Sequence, residues 1–173
     1  MFSVPPLRAP LEGRDRYFIV GIGLALSVLE IVAAHIATPD FTLGAGYGRD
    51  FVNFWLGGRL ALQDRLDLLT ATGDYNLLIN QMFDHEGDLF VFSYPPLILP
   101  MLVPFGALPF QVGLVAWTAL NILGLGLAVR QFRGGRFVLA AACLSPAAAI
   151  MVLFGHFGGI FAAMATFALR CAN

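Results

Sequence analysis

The fold of this chain is decided by Phe110-Gln-Val-Gly-Leu-Val-Ala-Trp-Thr-Ala-Leu-Asn-Ile-Leu-Gly-Leu-Gly-Leu-Ala-Val129, an uncharged stretch bounded by Pro109 and Arg130. A helix of this length is about 30 Å long, which matches the hydrocarbon core of a bilayer. The whole chain of 173 residues is 58% hydrophobic and 12% charged, whereas soluble domains carry about a quarter charged residues. The sequence therefore predicts an all-α integral membrane protein.

Three further apolar stretches predict membrane spans, which makes about four transmembrane helices in all. They cover residues 17–38, 137–154 and 157–169. The stretch 94–108 is apolar as well, but its prolines remove backbone donors that lipid does not replace. We therefore predict that this stretch is an interfacial or re-entrant helix rather than a fifth span.

The arginines predict which side of the membrane each loop occupies. There is no lysine, and seven of the ten arginines flank the predicted spans: Arg8, Arg14, Arg16, Arg130, Arg133, Arg136 and Arg170. If 94–108 does not cross, all seven face the cytoplasm, as the positive-inside bias requires. The prediction is one multi-pass membrane domain over 1–173, with a cytoplasmic tail at 1–16 and a periplasmic loop at 39–109. Both termini then lie in the cytoplasm, and the membrane is the bacterial inner membrane.

The outer loop is acidic and long enough to suggest a function or a folded cap. Its pattern predicts two short helices, one that begins at Asp50 and carries Phe51, Phe54 and Trp55, and one over about 75–83. We expect both to lie on the membrane with their aromatic faces toward it. The net charge of −1 argues against a nucleic-acid partner, because such a partner requires a basic face.

Asp50 is the first candidate for chemistry. It could accept a proton from an attacking hydroxyl, or hold a divalent cation beside a phosphate. The alternative, favoured by the local sequence, is a plain helix N-cap. Arg49 and Arg59 could each pair with a lipid phosphate or with neighbouring acids. His156 could donate to a phosphate, or it could be an ordinary interfacial residue.

The other notable residues indicate how the helices pack, or have two alternative interpretations. Glu30 lies inside the first predicted span and indicates either a site or a buried pairing. Asn121 predicts an interhelical hydrogen bond, and Gly159 with Ala163 predicts close helix packing. The run from Asp84 to Asp88 carries metal-capable groups at a spacing that fits no defined site, so no metal site is predicted.

An ordered set of short motifs resembles glycosyltransferase family 87. The motifs are Asp50-Phe51, Phe54-Trp55, Gly58-Arg59-Leu60-Ala61-Leu62, Tyr94-Pro95-Pro96, and Leu108-Pro109 ahead of Trp117. They extend over about residues 45–130. Gly155-His156-Phe157-Gly158 is similar to a Gly-Gln motif, with histidine in place of glutamine. One departure is Asp74-Tyr75, which reverses the Tyr-Asp pair usual in that loop.

The resemblance implies a GT-C fold, of which this chain would be the N-terminal portion, and a sugar donor linked to polyprenyl phosphate, typically carrying mannose. It implies that Asp50 is the catalytic carboxylate. Arg49, Arg59, Tyr94 and His156 are then expected to bind the substrate or its phosphate, without a required cofactor. Family members have many more spans, so we expect this chain to be inactive alone. The alternative function is a small, non-catalytic accessory subunit packed against other membrane protein subunits.

Overall fold

The computed structural model describes residues 13–37, 46–83, 89–130 and 135–171, and in these residues the regular structure is helical. The helices are α1 (Gly13–Ala37), α2 (Arg49–Leu62), α3 (Asp67–Thr70), α4 (Thr72–Phe83), α5 (Leu99–Gly106), α6 (Phe110–Val129), α7 (Gly135–Cys143), α8 (Pro146–Phe154) and α9 (Gly158–Cys171). A 3-10 turn over Pro96–Ile98 leads into α5.

Two of the described helices are long and apolar enough to cross a membrane, and a bent pair supplies a third if it counts as one span. The two are α1, through its segment Arg16–Ala33, and α6. The bent pair is α7 with α8, whose axes differ by 53°. α9 has only 14 residues, whereas a span requires about 20. The predicted all-α fold is confirmed for the described residues, which contain two or three candidate membrane spans; the predicted count of four is not confirmed.

The break between α7 and α8 explains why the predicted third span is not one helix. Pro146 is the first residue of α8, and proline has no backbone N–H to continue the ladder from α7. The Ser145 hydroxyl donates to the carbonyl of Ala142 at 2.7 Å. From α1, the Ser27 hydroxyl donates to the carbonyl of Leu144 at 2.9 Å. The carbonyls at the break therefore have partners inside the protein, as a lipid environment requires.

The helices α2 and α5 cross with their backbones in contact. A Cβ atom on Gly58 would collide with the carbonyl of Leu102, and one on Gly106 would collide with the backbone nitrogen of Arg59. Only glycine therefore fits at the two crossing positions. The proline-rich stretch is thus packed against the helix that carries Asp50.

The aromatic face of α2 lies inside the protein, which corrects the prediction that it faces the membrane. Phe51 and Phe54 are fully buried, and Trp55 is 7% exposed. Trp117 of α6 lies 4.9 Å from Phe54 and 5.8 Å from Phe51, measured between ring centroids. The aromatic spacing marked a buried face correctly, but the surface that covers this face is protein.

The helices α6 and α9 pack through small and amide side chains, as predicted. Asn121 accepts a hydrogen bond at Oδ1 from the backbone N–H of Ile160, at 3.2 Å. A Cβ atom on Gly159 would collide with the backbone carbonyl of Asn121, and one on Gly124 would lie 2.7 Å from the carbonyl of Gly159. This contact fixes the start of α9, and with it the preceding loop that contains His156.

Candidate functional site

The start of α2 places Asp50 without using its side chain as the helix N-cap. The N-cap is Gly48, whose φ of 74° lies in the left-handed region that glycine tolerates. The backbone N–H of Gly48 donates to the carbonyl of Leu153 at 2.8 Å, which ties this end of α2 to α8. Asp50 is the second residue of the helix. The interpretation of Asp50 as an N-cap is therefore wrong, and its carboxylate is available for another role.

The loop between α8 and α9 brings His156 next to Asp50. α8 ends at Phe154, and the C-cap that follows it is Gly155, which has a φ of 72°. The indole N–H of Trp117 donates to the carbonyl of Gly155 at 2.7 Å in a buried contact. Nε2 of His156 then lies 3.8 Å from Oδ2 of Asp50, a contact that is an ion pair when the imidazole is protonated. Both side chains keep an accessible surface, 46% for His156 and 38% for Asp50.

A cavity of about 390 Å³ opens in front of Asp50. Its wall is formed by the start of α2 and by the segment that follows α4: Arg49, Asp50, Asn53, Leu89, Phe90, Val91, Ser93 and Tyr94. The guanidinium carbon of Arg49 lies 5.7 Å from the ring centroid of Phe90, within cation–π range. The ring of Tyr94 packs 4.7 Å from that of Phe54. A carboxylate, a guanidinium, an amide and two hydroxyl groups thus share one cavity.

The surroundings of Asp50 make its carboxylate more basic than that of an ordinary aspartate. Burial raises the pKa of Asp50 above its ordinary value of 3.8, and the neighbouring charges of His156 and Arg49 partly offset that rise. Burial and the charge of Asp50 also raise the pKa of Tyr94. Tyr94 therefore keeps its proton at neutral pH and can donate a hydrogen bond. An ionised Asp50 is a stronger base than a fully solvated aspartate.

Arg59 is not part of this cavity. It lies about 15 Å along the axis of α2 from Arg49, at 1.5 Å per residue. Its guanidinium carbon is 5.1 Å from the Trp55 ring centroid, and the side chain lines a separate cavity with Phe83 and Gln111. Of the predicted site residues, the structure brings together Asp50, Arg49, Tyr94 and His156, and leaves Arg59 apart.

Two residues of this region were missed by the sequence reasoning. Asn53 lines the cavity one turn after Asp50, and the hydroxyl of Tyr75 donates to its Oδ1 at 3.0 Å. The spacing of three residues from Asp50 on a helix predicts a shared face and would have identified Asn53. Tyr75 is fully buried and comes from α4, so nothing in the local sequence indicates its contact.

The remaining predicted candidates do not add to the cavity. Glu30 belongs to α1, and its buried Oε2 has no hydrogen-bond partner within the described part of the chain. No three His, Cys, Asp or Glu side chains of the described residues come together as a metal-binding group. The acidic run from Asp84 to Asp88 lies outside the described residues.

Comparison with protein families gives a match for the C-terminal part of the chain. Residues 92–173 match the model of Glycosyltransferase family 87. This part of the chain is similar to glycosyltransferase family 87. The predicted resemblance is thereby confirmed for these residues. Comparisons with curated proteins and with solved structures give no match.

The family 87 segment, residues 92–173, supplies one side of the site. It contains Tyr94 and His156, together with α5 to α9, whereas Asp50 and Arg49 precede it. The family 87 match and the long apolar helices together support a glycosyltransferase-like protein of the lipid bilayer.

Proposed function

We propose that this protein transfers a sugar from a polyprenyl-phosphate donor to an acceptor hydroxyl at the outer face of a bacterial inner membrane. We also propose that its helices correspond to the N-terminal portion of a GT-C fold and, against the expectation that the chain is inactive alone, that the assembled Asp50 site is sufficient for transfer. The observation that carries the proposal is the contact of 3.8 Å between Asp50 and His156 beside a cavity that Arg49 and Tyr94 also line. The family 87 segment contributes two of these four residues.

Asp50 acts as the general base. Its carboxylate accepts the proton of the acceptor hydroxyl while the hydroxyl oxygen forms a bond to the anomeric carbon of the sugar. The bond between that carbon and the phosphate oxygen breaks, and polyprenyl phosphate leaves with the electron pair. Attack opposite the leaving phosphate inverts the configuration of the anomeric carbon. The raised pKa of Asp50 supports this role, because a partly buried carboxylate holds the transferred proton more firmly than a solvated one.

Arg49, Tyr94 and His156 act on the phosphate. A guanidinium offers paired N–H donors that match phosphate oxygens, and it stays charged at every relevant pH. The Tyr94 hydroxyl and the His156 imidazole add further donors near Asp50. Together these donors stabilise the charge that develops on the leaving phosphate, which is where electrostatic catalysis is most effective.

The arginine positions support an assignment of the two sides of the membrane. We propose that the Asp50 cavity faces the periplasm and that both termini face the cytoplasm, because Arg16, Arg130, Arg136 and Arg170 lie at helix ends that the positive-inside bias assigns to the cytoplasm. A lipid-linked donor would then reach Asp50 from the outer leaflet.

The test is a transfer assay on membranes that contain the chain and a radiolabelled polyprenyl-phosphate sugar. We expect Asp50→Asn to lower the rate by about 100-fold to 10,000-fold, since the amide does not accept the proton. Asp74→Asn is the matched control, because Asp74 is an exposed acid in the first turn of α4. It is expected to retain the wild-type rate.

Two results would contradict the proposal. Equal transfer by the wild type and by Asp50→Asn would remove Asp50 as the base. No transfer by a wild-type chain that is present and folded in the membrane would remove the proposed activity for this chain.

A further inference from the structure

A second cavity, of about 610 Å³, lies between the C-terminal ends of α6 and α9. The described residues that line it are two arginines and four apolar residues: Leu127, Arg130, Ala163, Met164, Phe167 and Arg170. Its volume is in the range of cavities that hold small molecules in proteins. No residue of the Asp50 site takes part in it, so it is a separate feature of the molecule.

The arginine cavity, as we call this space, lies at the opposite end of α6 from the Asp50 site. Trp117, which bonds to the loop of His156, is thirteen residues before Arg130, or about 20 Å along the helix axis. Gly159 packs against Asn121, and residues 163–170 line the cavity together with Leu127 and Arg130, so α9 runs beside the second half of α6 in the same direction. Arg130 and Arg170 therefore end the two helices at the same level.

The arginines and the apolar residues of the cavity are arranged to match the charged headgroup and the acyl chain of a phospholipid. The arginines follow the apolar part of each helix, at the level where a bilayer changes from hydrocarbon to headgroups. Leu127, Met164 and Phe167 are exposed large hydrophobic side chains on the hydrocarbon side of the arginines. A ligand that satisfies both parts carries a negative charge next to an acyl chain.

We propose that the arginine cavity binds one anionic phospholipid of the cytoplasmic leaflet, with its phosphate between Arg130 and Arg170 and an acyl chain along Leu127, Met164 and Phe167. Basic sites between membrane helices on the cytoplasmic side bind anionic headgroups in this way. The apolar wall favours a lipid over a free phosphate, which would leave that wall exposed. The charge favours an anionic lipid over phosphatidylcholine, whose own cation would face the two guanidinium groups. This proposal stands whether or not the protein transfers a sugar.

The test uses the full chain in a mild detergent, titrated with phosphatidylglycerol or with phosphatidylcholine of the same acyl chains, and native mass spectrometry to count bound lipid. We expect tighter binding of one phosphatidylglycerol, and a loss of about fivefold in its affinity for each arginine removed. Arg130→Gln with Arg170→Gln should then lose about 30-fold for phosphatidylglycerol and little for phosphatidylcholine. Inorganic phosphate in the same titration should not displace the lipid.

Arg65→Gln is the matched control, because Arg65 is an exposed arginine whose Nε lies 3.5 Å from Asp67 in the outer loop. It should bind phosphatidylglycerol as the wild type does. Ala163→Phe is a second variant that keeps both charges and fills the cavity, and it should also lose the lipid. Equal affinity for the two lipids, displacement by inorganic phosphate, or unchanged binding by either folded variant would overturn the proposal.

Discussion

Gly155 is the residue on which the geometry of the Asp50 site depends most directly, and Gly155→Ala should destabilise the protein by about 3 kcal/mol. Its φ of 72° costs a non-glycine residue about 1 to 2 kcal/mol. The new Cβ atom would also lie 2.6 Å from Cβ of Phe51, a contact that a rotamer change does not relieve. Forcing such an atom into a packed site costs about 1 to 3 kcal/mol.

The assay is equilibrium unfolding in mild detergent, followed by tryptophan emission. Trp117 is a suitable reporter because its indole N–H donates to the Gly155 carbonyl. A loss of about 3 kcal/mol raises the unfolding constant roughly 150-fold. Gly158→Ala is the control, since a Cβ atom there meets nothing within 4 Å, and its stability should change by less than about 1 kcal/mol. If Gly155→Ala were as stable as the wild type, or if both variants lost stability equally, the reasoning would be refuted.

Three further predictions test the packing and the charge of the site. Trp117→Phe deletes the buried bond to the Gly155 carbonyl and should cost about 1 to 3 kcal/mol in equilibrium unfolding followed by circular dichroism, because the variant lacks the fluorescent reporter; an unchanged free energy would show that the bond is not needed. Gly58→Ala should prevent α2 from crossing α5 and cost at least about 3 kcal/mol, whereas Gly73→Ala, which has open space, should have little effect; similar losses in both would argue against a tight crossing. Because burial raises the pKa of Asp50, the folded state binds its proton more tightly than the unfolded state, and this carboxylate lowers stability as the pH rises above 3.8. Asp50→Asn should therefore be more stable than the wild type at pH 7 in thermal unfolding, with the difference disappearing at pH values below 3.8; a less stable variant at pH 7 would contradict the sign.

The sequence was sufficient for features that depend on local pattern. The helix α6 covers the same residues as the predicted second span, because Pro109 begins it and the charge of Arg130 follows its apolar part. Asn121 was predicted to make an interhelical hydrogen bond and Gly159 to lie in a close helix contact, and the structure shows both where α6 meets α9. The motifs near Tyr94 and Trp117 indicated the family that the match over residues 92–173 confirms.

The predictions that were wrong concern features that depend on tertiary partners or on one backbone angle. Asp50 is a good N-cap by residue type, but Gly48 takes that position, since its left-handed φ lets the chain turn into α2 while its N–H reaches Leu153. The spacing of Phe51 and Phe54 marks a buried face equally well for protein and for lipid. Nothing within α2 indicates that Trp117 covers it.

The predicted third span forms two helices at an angle of 53° rather than one continuous helix, because Pro146 interrupts it. Average hydropathy over 137–154 is insensitive to Pro146, although that residue removes the backbone donor that a continuous helix needs. The pairing of Asp50 with His156 joins residues from distant parts of the sequence. Tertiary contacts bring them together: α8 packs against the start of α2, and Trp117 of α6 holds the carbonyl of Gly155.

Sidedness is the central claim of this account, since the proposed sugar transfer and the proposed lipid site require opposite faces of the membrane. The direct measurement is labelling by a membrane-impermeant maleimide, in a background where Cys143 and Cys171 are replaced by alanine. Single cysteines are introduced as Asp74→Cys, in α4, and Arg136→Cys, at the start of α7; both are exposed positions. In intact cells with a permeabilised outer membrane, we predict that residue 74 is labelled and that residue 136 is labelled only after the inner membrane is opened. Labelling of both positions from the same side would contradict the account.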